Sequence, residues 1–165
     1  MSQEPHVGDV FLIPIDGSRF AVGQVAGDWK GELYIVIYDL VCASKDVDLA
    51  RVVSARPLFA SLSLDAKIHC GDWLIVGNVR DNLGRIPQPV FKVNEGGQLF
   101  LESRDRSITR LATRSEAELL RFRTVVAPVR LENAVKAHYG IGDWSSKYDE
   151  LRADYALSSS RLIAA

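Results

Sequence analysis

The apolar and polar positions at the start of the chain predict a β-hairpin. Residues 9–15 are almost entirely apolar, which is typical of a strand covered on both faces. Pro14 cannot donate a hydrogen bond to a sheet, so this strand should end there or lie at an edge at that point. Residues 16–17 form an Asp-Gly turn, and residues 20–25 alternate as a return strand. Gly23, in the middle of that strand, predicts a bulge or a close approach of other backbone.

The strand pattern continues beyond the hairpin. Residues 32–39 alternate more regularly than any other segment, with β-branched and aromatic side chains, and predict a central strand. A glycine-flanked break places Trp29 at a loop tip, where the indole is either a lid packed on the sheet or an exposed binding anchor. Residues 71–78 repeat a Gly-Asp start followed by an apolar run, which predicts another strand.

Shorter elements fill the space between and after these strands. Residues 44–50 predict a short helix or helical turn, and one short strand is expected within residues 51–66. Residues 90–93 and 98–102 predict two strands joined by a turn with two glycines. Residues 104–113 are a candidate for a further strand, exposed on one face.

Helical spacing appears in the last third of the chain. Thr113 and Glu116 fit a capping box, which predicts a short helix that ends near residue 121. Apolar residues three and four apart predict a helix over residues 129–139, and Gly140 is a suitable terminating residue. A last helix is predicted over residues 145–156. After about residue 157 the sequence gives only a weak indication of secondary structure, and we call this segment the weakly encoded tail.

These elements predict an α+β fold that is mainly β: a bent antiparallel sheet or half-barrel of about five to seven strands, with the C-terminal helices packed on it. Five residues should lie in the core of the sheet: Leu33, Ile35, Ile37, Trp73 and Ile75. The chain has 165 residues and no linker-like segment, so a single domain over residues 1–165 is expected. No stretch approaches the roughly 18 apolar residues of a membrane span and the start lacks a signal-peptide pattern, which predicts a cytoplasmic protein.

The net charge of −1 is unevenly distributed. Residues 1–50 carry eight acids against three bases, a net of −5, whereas residues 51–165 carry 13 acids against 17 bases, a net of +4. An acidic half favours a basic partner and repels nucleic acid, although such acids can also serve only to solvate loops. The six arginines of residues 104–123 are interleaved with acids, which favours a solvated surface over a phosphate-binding patch.

Catalytic and metal-binding motifs are missing from the sequence. It contains no P-loop, GxSxG, HExxH or paired CxxC motif. His69 and Cys70 are adjacent, and neighbours in a strand point to opposite faces, so they do not predict a shared metal. Cys42 and Cys70 are expected to be free thiols in a reducing compartment. We therefore expect no enzyme activity, no cofactor and no bound metal.

The order of five segments carries a family resemblance. These segments are GDVFLIPIDGSRFAVGQV (8–25), ELYIVIYD (32–39), the Leu58-Phe59 pair, GDWLIVGN (71–78) and VRLENAVKAHYG (129–140). Together they resemble the immunity protein 26 family of bacterial polymorphic toxin systems, to which contact-dependent growth inhibition systems belong. The resemblance implies a mainly β, cytoplasmic protein that binds and neutralises a cognate toxin domain, often a nuclease, and it implies no catalytic residue. The expected single domain is then immunity-protein-like.

Such an inhibitor can place acids where a nuclease holds phosphates, because nucleases bind phosphates in a basic cleft. Acids in the loops of the N-terminal half, with Trp29 among them as an apolar anchor, are therefore the predicted toxin-binding residues: Asp16, Asp28, Trp29, Glu32, Asp39, Asp46 and Asp48. The partner expected is a toxin domain, with no nucleic acid and no membrane as partners, and the free protein should be a monomer.

An alternative class is a small-barrel nucleic-acid-binding protein or an endoribonuclease-like toxin. Small barrels that begin with a similar strand include toxin endoribonucleases of plasmid maintenance systems and SH3-like modules, a likeness of fold alone. Their function requires a basic groove lined by aromatic residues. The acidic N-terminal half argues against this alternative.

Overall fold

The computed structural model describes residues 2–164 of the chain. These residues form nine strands: β1 Asp9–Pro14, β2 Phe20–Trp29, β3 Glu32–Cys42, β4 Pro57–Ser63, β5 Leu74–Asn78, β6 Val90–Glu95, β7 Gln98–Ser103, β8 Thr109–Leu111 and β9 Val125–Val126. They also form five α-helices: α1 Leu49–Ser54, α2 Ala66–His69, α3 Arg114–Leu119, α4 Pro128–His138 and α5 Asp154–Ala164. The predicted α+β, mainly β fold is confirmed, with two antiparallel-rich sheets that are not closed.

The chain divides into two compact units. The first comprises the described residues up to Arg85 together with Val125–Ala153. The second comprises Ile86–Thr124 together with the described residues from Asp154 onward.

The first unit is built on a six-stranded sheet in the order β5-β1-β2-β3-β4-β9. Its neighbouring strands are antiparallel except β4 and β9, which are parallel. Strand β1 ends at Pro14 although it lies inside the sheet. Its pairing with β5 stops at Leu12, opposite Leu74. Strand β5 therefore does not reach Pro14, and no hydrogen bond from the proline nitrogen is required on that side.

The core of the first unit lies on one face of this sheet. Side chains from the strands meet α4 there: Phe11, Ile13, Val25, Leu33, Ile35, Ile37 and Phe59 pack with Leu131, Ala134 and Val135. Of the five predicted core residues, Leu33, Ile35, Ile37 and Trp73 are buried, while Ile75 is partly buried at the margin. Side chains on the other face are buried as well, including Val10, Leu12, Val22 and Val36, as the continuous apolar runs predict.

The second unit contains a three-stranded antiparallel sheet in the order β6-β7-β8. Val90, Leu101 and Leu120 form its buried cluster, against which Ala112, Leu162 and Ile163 pack. The strand predicted over residues 104–113 is shorter than expected. The Asp105 carboxylate accepts the Ser107 N–H at 3.0 Å and Arg106 adopts a φ of 60°, so a turn occupies the first half of that segment.

Two predicted helices differ from the structure. The helical turn expected at 44–50 is displaced to α1, with Asp48 as its N-cap. The helix expected over 145–156 is wrong: a 3₁₀ segment spans Ser146–Leu151, and α5 starts at Asp154 and continues through the weakly encoded tail. The helix is interrupted because the Ala153 N–H donates to the Leu58 carbonyl at 3.1 Å, which ties the backbone to β4.

Candidate functional site

The seven predicted contact residues lie at two opposite ends of the six-stranded sheet. Asp16 lies in the β1–β2 turn, and Asp39, Asp46 and Asp48 lie at the end of β3 and in the loop that follows it. Asp28, Trp29 and Glu32 lie around the β2–β3 turn. Strand β2 has ten residues and separates the two groups by about 30 Å. We call the region of residues 15–19 and 39–48 the hairpin end, and that of residues 28–33 and 63–65 the Trp29 end.

Two carboxylates at the hairpin end, those of Asp16 and Asp48, are engaged within the chain, whereas that of Asp46 forms no hydrogen bond or ion pair within residues 2–164. Asp16 accepts the Ser18 N–H at 2.9 Å and pairs with Arg19 Nε at 2.8 Å, and these contacts lower the pKa of Asp16 to about 2. Asp48 accepts the Ala50 N–H at 3.1 Å as the cap of α1. Turn and cap geometry therefore accounts for both of these acids.

Asp39 occupies a bulge in β3. The register with β2 passes from the Ala21–Val41 pair directly to the Val22–Tyr38 pair, so Asp39 and Leu40 have no partners there. The Asp39 carboxylate pairs with Arg56 at 3.3 Å and accepts the Tyr139 hydroxyl at 3.4 Å. Burial, with the neighbouring Asp39 charge, raises the pKa of Tyr139 to about 12.

The β2–β3 turn presents Trp29. The turn uses left-handed backbone at Lys30, with a φ of 51°, and at Gly31, with a φ of 88°. The Asp28 carboxylate accepts the Gly31 N–H at 2.9 Å, which fixes the turn. The Trp29 indole is half-buried, and the Lys30 ammonium lies 5.1 Å from its ring centroid.

Strand pairing extends the Trp29 end to residues that the sequence did not single out. Trp29 pairs with Glu32, and Leu33 pairs with Ser63. The same register, continued by one residue, places Leu64 beside Glu32, with all three side chains on one face of the sheet. Leu64 is 51% exposed, and the exposed Asp65 follows it. The spacing of Leu62 and Leu64 predicts that their side chains lie on the same face of the sheet. Only the register shows that Leu64 lies beyond the last buried row on that face, which contains Tyr34 and Leu62.

The arginine-rich segment lies in the second unit, where Arg106, Arg110, Arg114 and Arg123 pair with the interleaved acids, as their pattern predicts. Arg110 forms two hydrogen bonds with Glu116, at 2.8 and 2.7 Å. Arg123 pairs with the buried Glu102 at 3.0 Å, and Arg106 pairs with the same carboxylate at 3.2 Å. Arg114 pairs with Glu118 at 3.4 Å. These contacts favour a structural role for the segment over phosphate binding.

Within residues 2–164, no group of His, Cys, Asp and Glu side chains is arranged to hold a metal ion. Cys42 is half-buried and Cys70 is exposed, and both are free thiols. Over the same residues, no helix has both the length and the apolar character needed to cross a membrane. The surface that the two ends present consists of carboxylates, the Trp29 indole and the exposed aliphatic group of Leu64.

Comparison with known families gives a match over much of the chain. The family model described as immunity protein 26 matches residues 6–99, which is more than half of the chain. The matched segment includes all seven predicted contact residues, together with Leu64 and Asp65. The chain matches no curated protein and no solved structure.

Proposed function

Because the chain belongs to the immunity protein 26 family, we propose that it binds and neutralises a cognate bacterial toxin domain. The toxin is a nuclease of a polymorphic toxin system, of the contact-dependent growth inhibition type. The protein acts in the cytoplasm as a non-enzymatic inhibitor and is a monomer until it meets the toxin. The family match is the observation that carries this proposal, and the surplus of acids in residues 1–50 supports the choice of a nuclease.

Inhibition works by covering the active site of the toxin or an adjoining surface. A nuclease holds phosphates in a basic cleft, so acids on exposed turns can occupy that cleft in place of the substrate. Long-range charge mainly accelerates the encounter, whereas a buried aromatic anchor slows dissociation. The proposed contact residues are those predicted from the sequence: Asp16, Asp28, Trp29, Glu32, Asp39, Asp46 and Asp48.

The test of the function uses the full chain and the toxin domain encoded beside it. The two proteins should co-purify as a 1:1 complex, and nuclease activity should fall in proportion to the chain added. No complex at micromolar concentrations would contradict the proposal. RNA that co-purifies with the isolated chain, or is cleaved by it, would instead favour the alternative of a nucleic-acid-binding barrel.

The contact residues are tested by two variants in the same binding titration. Trp29→Ala should weaken binding by about 2 kcal/mol if the indole is an anchor. A combined Asp28→Asn, Asp46→Asn, Asp48→Asn variant should slow association and flatten its salt dependence, since asparagine keeps the helix cap of Asp48 and removes the charge. The control removes three other exposed acids, through Glu4→Gln, Asp81→Asn and Asp143→Asn. Unchanged binding by both test variants would place the interface elsewhere and leave the function standing.

A further inference from the structure

The Trp29 end carries partly exposed apolar surface. The row of Trp29, Glu32 and Leu64 follows directly after the row of Gly27, Tyr34 and Leu62 on the same face of the sheet. Tyr34 and Leu62 are each 1% exposed, whereas Leu64 is 51% exposed. The apolar face of the sheet therefore continues outward past its last buried row, with half-buried Trp29 and exposed Leu64 on either side of Glu32.

The charges around this row favour a basic occupant. The Trp29 end carries three acids, Asp28, Glu32 and Asp65, against one base, Lys30. Asp28 pairs with Leu33, so its side chain leaves β2 on the face opposite to Trp29, at the same end of the sheet. Among the described residues, neither Asp28 nor Asp65 forms an ion pair, and the Asp28 carboxylate accepts the Gly31 amide. Their charges are thus available to cations of a partner without the loss of an existing pair.

The hairpin end differs in this respect for two of its four acids, whereas Asp46 and Asp48 also form no ion pair within residues 2–164. Asp16 is held by Arg19 at 2.8 Å and Asp39 by Arg56 at 3.3 Å. A basic partner would have to compete with these arginines for the two carboxylates. The arginines would also repel the cationic side chains of the partner. The two ends therefore carry similar acids, but they are not equivalent as surfaces for a basic protein.

We infer that the Trp29 end, with Leu64 and Asp65 as additional contact residues, is the docking surface for the basic face of the toxin domain. This inference rests on the proposed function, because that function supplies the partner. Trp29 and Leu64, on either side of Glu32, form its apolar centre, and Asp28 and Asp65 add negative charge at the same end of the sheet. This narrows the seven proposed contact residues to three, Asp28, Trp29 and Glu32, and the four at the hairpin end then lie outside the interface.

The experiment compares matched variants of the full chain in titrations against the toxin domain. Leu64→Arg places a cation in the apolar centre and should weaken binding by roughly thirtyfold or more. Its control is Leu157→Arg on α5, where the leucine is 40% exposed and the same change should leave affinity unaltered. A double Asp28→Asn, Asp65→Asn variant should lower the association rate several-fold, and Asp81→Asn with Asp143→Asn is its charge-matched control.

Hydrogen exchange of the wild-type complex provides a readout that needs no variant. Amides of residues 28–33 and 63–66 should exchange more slowly in the complex than in the free chain, and those of residues 15–19 and 43–48 should not change. If the wild-type chain binds the toxin while the Leu64→Arg and double variants bind equally well, or if protection appears only at the hairpin end, the inferred surface is overturned and the proposed function stands. If the wild-type chain does not bind at all, both are overturned.

Discussion

The side chains of Phe11 and Trp73 stack with parallel rings, with ring centroids 5.3 Å apart and an angle of 2° between the ring planes. Phe11 also pairs with Gly23 across the β1–β2 ladder. A Cβ built on Gly23 would lie 2.5 Å from Phe11 Cζ, closer than real Cβ contacts come. The close approach predicted at Gly23 is thus made by an aromatic side chain and not by other backbone, and the stack with Trp73 restricts how the ring can move.

Gly23→Ala should therefore destabilise the fold. The added methyl group has to displace the Phe11 ring or the β2 backbone, and overpacking of this kind costs about 1–3 kcal/mol. Urea unfolding gives the free energy of unfolding directly. Gly17→Ala is the control because nothing lies within 4 Å of its added Cβ. Equal stability of the Gly23→Ala variant and the wild type would contradict the packing described here.

A buried polar cluster on the opposite face of the sheet leads to a second prediction. The Tyr38 hydroxyl donates to Gln24 Oε1 at 2.6 Å, and Asn82 Nδ2 donates to the same oxygen at 2.8 Å. Tyr38→Phe removes one donor from this cluster and should lower the free energy of unfolding by about 1–3 kcal/mol. Tyr148→Phe is the control, since the half-exposed Tyr148 hydroxyl makes no hydrogen bond within residues 2–164. A smaller loss for Tyr38→Phe than for the control would refute the role of the cluster.

The same tyrosine predicts a loss of stability at alkaline pH. Burial raises the pKa of Tyr38 from 10.0 to about 12. Between these two values the unfolded chain has released a proton that the folded chain still binds, so stability is fully present below pH 10 and falls as the pH rises toward 12. Thermal melts between pH 9 and pH 12 should show a shallower decline for Tyr38→Phe than for the wild type. Parallel curves would rule out this contribution.

Acid titration tests the capping box of α3. Hydrogen bonds from Arg110, with further contacts to Thr113, lower the pKa of Glu116 from 4.5 to about 2. The stability that this carboxylate provides is present above pH 4.5 and is lost as the pH falls toward 2. Glu116→Gln should therefore flatten the loss of stability over that range. Glu118→Gln, whose partner Arg114 is largely exposed, serves as the control and should follow the wild-type curve.

The single domain over residues 1–165 remains a prediction, and unfolding cooperativity tests it. The three tryptophans, Trp29, Trp73 and Trp144, all lie in the first compact unit, so their fluorescence reports on that unit. Far-ultraviolet circular dichroism reports on helices of both units. We expect the two probes to give coincident urea transitions, as one cooperative domain requires. Separate midpoints would mean that the two units unfold independently.

The sequence by itself determined the elements that depend on neighbouring residues. The β1–β2 hairpin, the alternating strand β3, the capping box of Thr113 and Glu116, and the end of α4 near Gly140 were all predicted and are present. Each follows from the preferences of a few adjacent residues: a proline without an N–H, a hydroxyl that accepts an amide, or a glycine that adopts a φ of 90°.

Only the tertiary structure decided how distant segments meet. The backbone bond from Ala153 to Leu58 breaks a segment whose spacing predicts one continuous helix. Asp39 meets Tyr139 across 100 residues of sequence. The register of β3 with β4, continued by one residue past Leu33 and Ser63, places Leu64 beside Glu32. Composition counts the six acids among the seven predicted contact residues as part of one surplus of negative charge in residues 1–50. Antiparallel pairing, however, places successive turns at opposite ends of the sheet. Register depends on how whole strands bury their faces against one another, so charges that are close in sequence can lie a strand length apart.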